Sequence, residues 1–113
     1  MATIYKICTA TEWERAVAAG VFVGSKVDRR DGFIHFSTAA EVAETARRHF
    51  AGRGDLVLVA IDAADLGPSL RYEPSRGGLL FPHLYGPLDP KTARWVMPLR
   101  LAADGTHAFP DLT

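Results

Sequence analysis

Three observations predict a single α+β domain built on a bent mixed or antiparallel sheet. The chain has 113 residues, enough for one hydrophobic core and too few for two. Two helix-type segments with capping signals fall early and most strand-like runs fall late, a segregation that favours α+β over alternating βαβ units. Residues 55–62, Asp-Leu-Val-Leu-Val-Ala-Ile-Asp, are continuously apolar between their ends, as a central strand covered on both faces must be.

The elements follow in order. Residues 3–8 form a short β-rich run, and Thr11 with Glu14 has the spacing of a capping box that opens a first helix, closed by Gly20. Trp13, Ala16, Val17 and Gly20 recur at three- and four-residue steps, so that stripe is expected to face the core. Thr38 and Glu41 repeat the capping spacing ahead of a second helix, with Gly52 as its stop. Between the helices, residues 32–38 (Gly-Phe-Ile-His-Phe-Ser-Thr) read as a strand running straight into the helix cap. Its alternation sets Ile34 and Phe36 on one face and Phe33, His35 and Ser37 on the other. Residues 69–73, 78–86 and 92–101 read as three later strands, with Pro82 and Pro98 confining the last two to edges or irregular pairing. Asp104-Gly105 marks a terminal turn.

Composition limits the possible functions. At 48% hydrophobic and 23% charged residues, the chain has the make-up of a folded domain. Thirteen basic residues balance thirteen acidic ones, so there is no overall field for general nucleic-acid binding. Cys8 is the only cysteine, which precludes an internal disulfide and suits a reducing compartment. The opening lacks a signal peptide's basic head and apolar run, and nothing is long enough to span a bilayer. The expectation is therefore a cytoplasmic protein without a membrane partner. Prolines in the edge strands favour a monomer.

Three places carry candidate chemistry. His35 stands just before the expected helix start, where Ser37, Thr38 and free backbone N–H groups would favour an anion; the competing reading is a core histidine bonded to backbone. His83 and Tyr85 share a face by two-residue periodicity, on backbone that Pro82 and Pro87 keep from a regular ladder. The competing reading there is a structural histidine beside a turn-capping tyrosine. Residues 73–78, Glu-Pro-Ser-Arg-Gly-Gly, set Glu73, Ser75 and Arg76 before Gly77 and Gly78, a pattern suited to an anion nest with a forked guanidinium contact; the competing reading is a plain hairpin. A metal would require remote ligands such as His35, His83 and Glu73, and none is assigned.

Taken together, residues 4–7, Trp13, 31–38 (Asp-Gly-Phe-Ile-His-Phe-Ser-Thr), 55–62 and 72–88 resemble the domain-of-unknown-function 952 family, over nearly the whole chain from Ile4 to about Leu101. The resemblance implies an ADP-ribosyltransferase-like α+β fold whose strands close around nicotinamide adenine dinucleotide (NAD). By position it puts Lys6, His35 and His83 where transferases of that fold carry their functional side chains. Two of the three depart from the usual pattern, and the late-strand glutamate is missing. A carboxylate there would stabilise the oxocarbenium-like cation formed on cleaving a nicotinamide bond, and Glu73 is the available substitute.

The expectation is thus an uncharacterised pocket protein for a phosphate-bearing small molecule such as a dinucleotide or ADP-ribose. In this reading His35 and His83 are an acid and base pair, and Lys6, Ser37, Thr38, Glu73, Ser75, Arg76, Gly77, Gly78 and Tyr85 bind the ligand. NAD is a possible ligand or substrate, and a catalytic version would transfer ADP-ribose or release nicotinamide. The rivals are a noncatalytic interaction or metabolite-binding module on the same scaffold and a phosphoester hydrolase.

Overall fold

The structure is a computed structural model that describes residues 2–112. Its elements, in chain order, are β1 (Thr3–Thr9), α1 (Ala10–Ala19), α2 (Lys26–Asp31), β2 (Ile34–His35), β3 (Ser37–Thr38), α3 (Val42–His49), β4 (Leu56–Asp62), β5 (Leu70–Pro74), β6 (Leu80–Leu84) and β7 (Ala93–Leu99). The fold is α+β, but it has two sheets where one bent sheet was expected. One is four-stranded in the order β3-β1-β4-β7, the other three-stranded in the order β2-β6-β5, and every strand pairing is antiparallel.

β4 is an inner strand of the larger sheet, flanked by β1 and β7. Its alternation explains the uninterrupted apolar run. Leu56, Leu58 and Ala60 join α3 residues Val42 and Ala46 in one core, while Val59 and Ile61 join Trp13, Ala16, Phe22, Ile34 and Phe36 in another. Two faces, each packed, need apolar side chains at consecutive positions. Cys8 is buried in the second of these cores, and burial pushes its thiol up to about 12, which leaves it an inert packing residue.

The helix boundaries differ from the sequence reading. Overlapping capping boxes compete at the first helix, Thr9 with Glu12 and Thr11 with Glu14. The earlier one is used, with Glu12 N donating to Thr9 Oγ1 and Thr9 N to Glu12 Oε1. β1 therefore passes into α1 without a loop. Trp13 and Ala16 are buried as expected, but Val17 is exposed. A helix of ten residues resting on its sheet through so narrow a stripe leaves Val17 outside it. Thr38 is no N-cap, because it pairs with Ile4 in β3. The helix starts four residues later at Val42 and ends at His49 with Phe50 as its C-cap, short of Gly52.

Residues 32–38 do not run as one strand into a helix. β2 belongs to the small sheet and β3 to the large one, so the chain crosses between sheets at Phe36. That crossing also explains Pro82, which sits on the inner strand of the small sheet and not on an edge. Phe36 N donates to Pro82 O at 3.0 Å, and the return bond, which proline cannot give, is the one that lapses as β2 ends. Pro98 does lie on an edge strand, β7.

The sequence reading also lacks α2. Ser25 is its N-cap, Asp28 completes a capping box, and Gly32 ends it with φ 87°. Just ahead, Gly24 has φ 104°, and a Cβ there would lie 2.6 Å from Asp28 Cβ. Only glycine lets the chain pass this close to Asp28.

Candidate functional site

Lys6 sets the problem from which the site is built. Strand alternation puts it on the same face as Ile4 and Cys8, both in the core, and it is buried. A buried ammonium needs a partner. Asp28 of α2 supplies one, with Lys6 Nζ 2.7 Å from Asp28 Oδ2. The same oxygen accepts Ser25 N at 2.9 Å. Asp28 Oδ1 faces His35 twice, accepting its backbone N at 3.1 Å and lying 2.6 Å from its ring Nδ1. The other ring nitrogen, Nε2, lies 3.0 Å from Asp31 Oδ2.

Burial alone would push the Asp28 carboxyl up, but the hydrogen bond from His35 and the charge and hydrogen bond of Lys6 overcome it and hold the group well below the usual carboxylate range. An ionised carboxylate accepts and does not donate. Each ring nitrogen of His35 thus lies against a carboxylate oxygen, Nδ1 on Asp28 and Nε2 on Asp31.

His83 is held differently. It is paired with His35 across the β2–β6 ladder, and the two rings lie 5.5 Å apart, edge to face. His83 Nδ1 is 2.8 Å from Glu73 Oε1, and the Tyr85 hydroxyl donates to that same oxygen at 2.7 Å. Those two hydrogen bonds, Tyr85's first, hold the Glu73 carboxyl below its ordinary value, and the bond to Glu73 raises the Tyr85 phenol. Phe33 stacks on the His83 ring at 4.1 Å and also touches His35 and Tyr85. One glutamate on the neighbouring β5 thus meets both His83 Nδ1 and the Tyr85 hydroxyl.

Arg76 lies in the turn between β5 and β6. Its Nη2 reaches Glu41 Oε1 at 3.4 Å and Thr45 Oγ1 at 3.3 Å, and its guanidinium covers the Phe81 ring. Thr45 Oγ1 is in turn 3.0 Å from Ser37 Oγ. Glu41, expected as a capping residue, thus serves as a carboxylate partner instead.

A cleft of about 890 Å³ runs over these groups, lined from β1, all three helices and β6. Lys6, His35, Ser37, Ser75, Arg76 and His83 all line it; Thr38, Glu73, Gly77, Gly78 and Tyr85 do not. Thr38 is excluded because strand alternation turns it to the face opposite Ser37, and Glu73 and Tyr85 because they stand behind His83. Gly77 and Gly78 do take positive φ, as expected, but Gly78 N and Leu79 N donate within the turn to Ser75 O and Arg76 O. Those two amides are spent, which removes much of the expected anion nest. Among the described residues no group of three or more His, Cys, Asp or Glu is arranged to hold a metal, and no helix is long and apolar enough to cross a membrane.

Sequence reasoning missed Asp28, Asp31 and Phe33. The Ser25–Asp28 spacing was a legible capping box that marked α2. Nothing local indicated that the N3 carboxylate of so short a helix would meet β1 and β2.

The family model described as "Protein of unknown function (DUF952)" matches residues 7–96. The chain belongs to this family. It is also similar to protein CC0527 from Caulobacter crescentus, whose crystal structure is 47% identical with a TM-score of 0.90, covering 94% of this chain and 93% of that one. The solution NMR structure of CC0527 gives 48% identity and a TM-score of 0.85, covering 94% and 91%. Among curated proteins nothing matches the chain.

Proposed function

We propose that the cleft binds a phosphate-bearing small molecule of the dinucleotide or ADP-ribose class. The observation that carries this reading is the charge of the lining. Six lysine and arginine residues border the cleft against three carboxylates, Glu12, Asp28 and Asp31, in a chain whose formal net charge is zero. Arg15 and Lys26 form no ion pair with a described carboxylate. A concave site lined by an excess of one sign focuses its field on ligands of the other.

The ADP-ribosyltransferase-like resemblance points the same way. Two antiparallel sheets and a cleft bordered by Lys6, His35 and His83 suit NAD as ligand or substrate in a cytoplasmic monomer. Binding is better supported than cleavage, because Glu73 stands behind His83 and not in the cleft. A carboxylate that is to stabilise a forming cation must face it.

The test is thermal unfolding and calorimetry with ADP-ribose and NAD up to millimolar concentration. The expected result is a ligand-dependent rise in Tm that shrinks in Arg76→Ala and in an Arg15→Ala/Lys26→Ala double variant. Absence of any shift with both ligands in the wild-type protein overturns the reading. Nicotinamide release from NAD, read by chromatography, separates the catalytic version from binding alone.

A further inference from the structure

The two histidines of the cleft have opposite hydrogen-bonding states. Both ring nitrogens of His35 lie on carboxylates. Only Nδ1 of His83 has a partner among the described residues, namely Glu73. Glu73 Oε1 meets both the Tyr85 hydroxyl and His83 Nδ1, which keep its carboxyl ionised; a carboxylate has no hydrogen to give, so Nδ1 must be the protonated nitrogen. In the neutral ring that leaves Nε2 with its lone pair. Phe33, stacked at 4.1 Å and 28° between ring planes, fixes the orientation of the imidazole.

The rest of the lining is rich in lysine and arginine donors. Its carboxylates are engaged by protein donors: Glu12 by Thr9 N, Asp28 by Lys6 and His35, and Asp31 by Arg30 and His35. A phosphate oxygen is an acceptor and gains nothing from a second acceptor. The group that sits at His83 Nε2 therefore carries a hydrogen to donate.

We propose that Glu73, His83 and Tyr85 form a hydroxyl-reading element, in which neutral His83 accepts a hydrogen bond through Nε2 from a hydroxyl of the bound phosphate ester. His83 touches the ligand; Glu73 and Tyr85 are positioning residues. The ligand class narrows from anions in general to hydroxylated phosphate esters, of which ribose 5-phosphate is the simplest probe. The choice of ligand rests on the anion-binding reading above, whereas the state of the imidazole does not.

Two measurements test the imidazole without any ligand. Ring-nitrogen NMR at pH 8 is expected to show His83 protonated on Nδ1 only, with that preference relaxed in Glu73→Ala. Acylation by diethyl pyrocarbonate, mapped by mass spectrometry, needs a free lone pair and is expected to modify His83 faster than His35, although the His83 side chain is 7% exposed and that of His35 33%. An Nε2–H tautomer at His83 in the wild type, or faster acylation of His35, overturns the proposal.

A third measurement tests the reading of the ligand. Ribose 5-phosphate affinity is expected to fall about tenfold in His83→Ala, the effect of one lost hydrogen bond, while inorganic phosphate affinity stays unchanged. Glu73→Ala, at a half-exposed position, gives the same split if His83→Ala does not fold. Equal losses for both probes overturn the hydroxyl assignment. If neither probe binds the wild-type protein, the anion-binding reading and the hydroxyl assignment fail together, and the two imidazole measurements still decide the state of His83.

Discussion

The networks around the two histidines differ in closure. Around Asp28, Lys6, His35, Ser25 and Asp31 direct their charges and polar hydrogens at one another, and the hub carboxylate is 2% exposed. Around Glu73, the chain of contacts among the described residues stops at His83 Nε2. A closed network fixes α2 and β2 onto β1 and leaves the His35 ring no free nitrogen to offer a ligand. An open one has a donor or acceptor to spare. Two histidines paired across one ladder can thus divide the work, one holding the wall in place and the other facing what enters.

The strongest way to break this comparison is to open the closed network. Asp28→Ala leaves Lys6 buried without its counter-charge and is expected to cost about 3–5 kcal/mol in urea unfolding. Lys6→Met, which strands the carboxylate instead, belongs in the same range. A loss under about 1 kcal/mol in both, the value of a surface pair, would show that the network is not what secures α2.

Acid sharpens the same point. The folded-state pKa of Asp28 is depressed, so its contribution to stability is fully present above the unfolded value of about 3.9. It is lost as pH falls from there through the folded pKa. Wild-type stability is expected to decline below about pH 4, and Asp28→Asn, weaker at neutral pH, is expected to decline less steeply over that window. Parallel slopes for the two proteins would assign the acid sensitivity to other carboxylates.

Backbone comes next in size. Gly24→Ala combines a φ of 104° with a Cβ placed 2.6 Å from Asp28 Cβ. The expected loss is about 1–3 kcal/mol, with displacement of Asp28 visible as altered ring resonances of His35 and not of His83. Equal perturbation of both histidines would show that the two networks are coupled through Phe33.

The same contrast governs what was legible in the sequence. The large sheet was readable because burial on both faces of β4 imposes an apolar run, and because Pro98 sits where edge strands tolerate proline. The small sheet was not, since β2 is two residues long and no periodicity survives at that length. His83 was recognisable as a polar group in an apolar run, His35 by its place before an expected helix start, and Arg76 as a guanidinium ahead of two glycines. The partners that give them roles, Asp28, Glu73 and Glu41, occupy positions where a carboxylate reads locally as a cap or an exposed strand residue. Their meaning comes from contacts between residues up to 35 apart in sequence, which no local pattern encodes.

The smallest expected effect concerns Tyr85, which is 38% exposed. Its hydrogen bond is the leading cause of the lowered Glu73 carboxyl, ahead of the bond from His83. Tyr85→Phe keeps the ring that Phe33 touches at 5.2 Å and removes only the hydroxyl, so no measurable change in Tm is expected. The Glu73 carboxyl should instead move up toward the ordinary glutamate range in a carboxyl-carbon NMR titration, while His83 keeps its proton on Nδ1 because the carboxylate still faces it. If the tautomer changes with the hydroxyl gone, Tyr85 and not Glu73 sets the orientation of the imidazole, and the open network is a dyad of different membership.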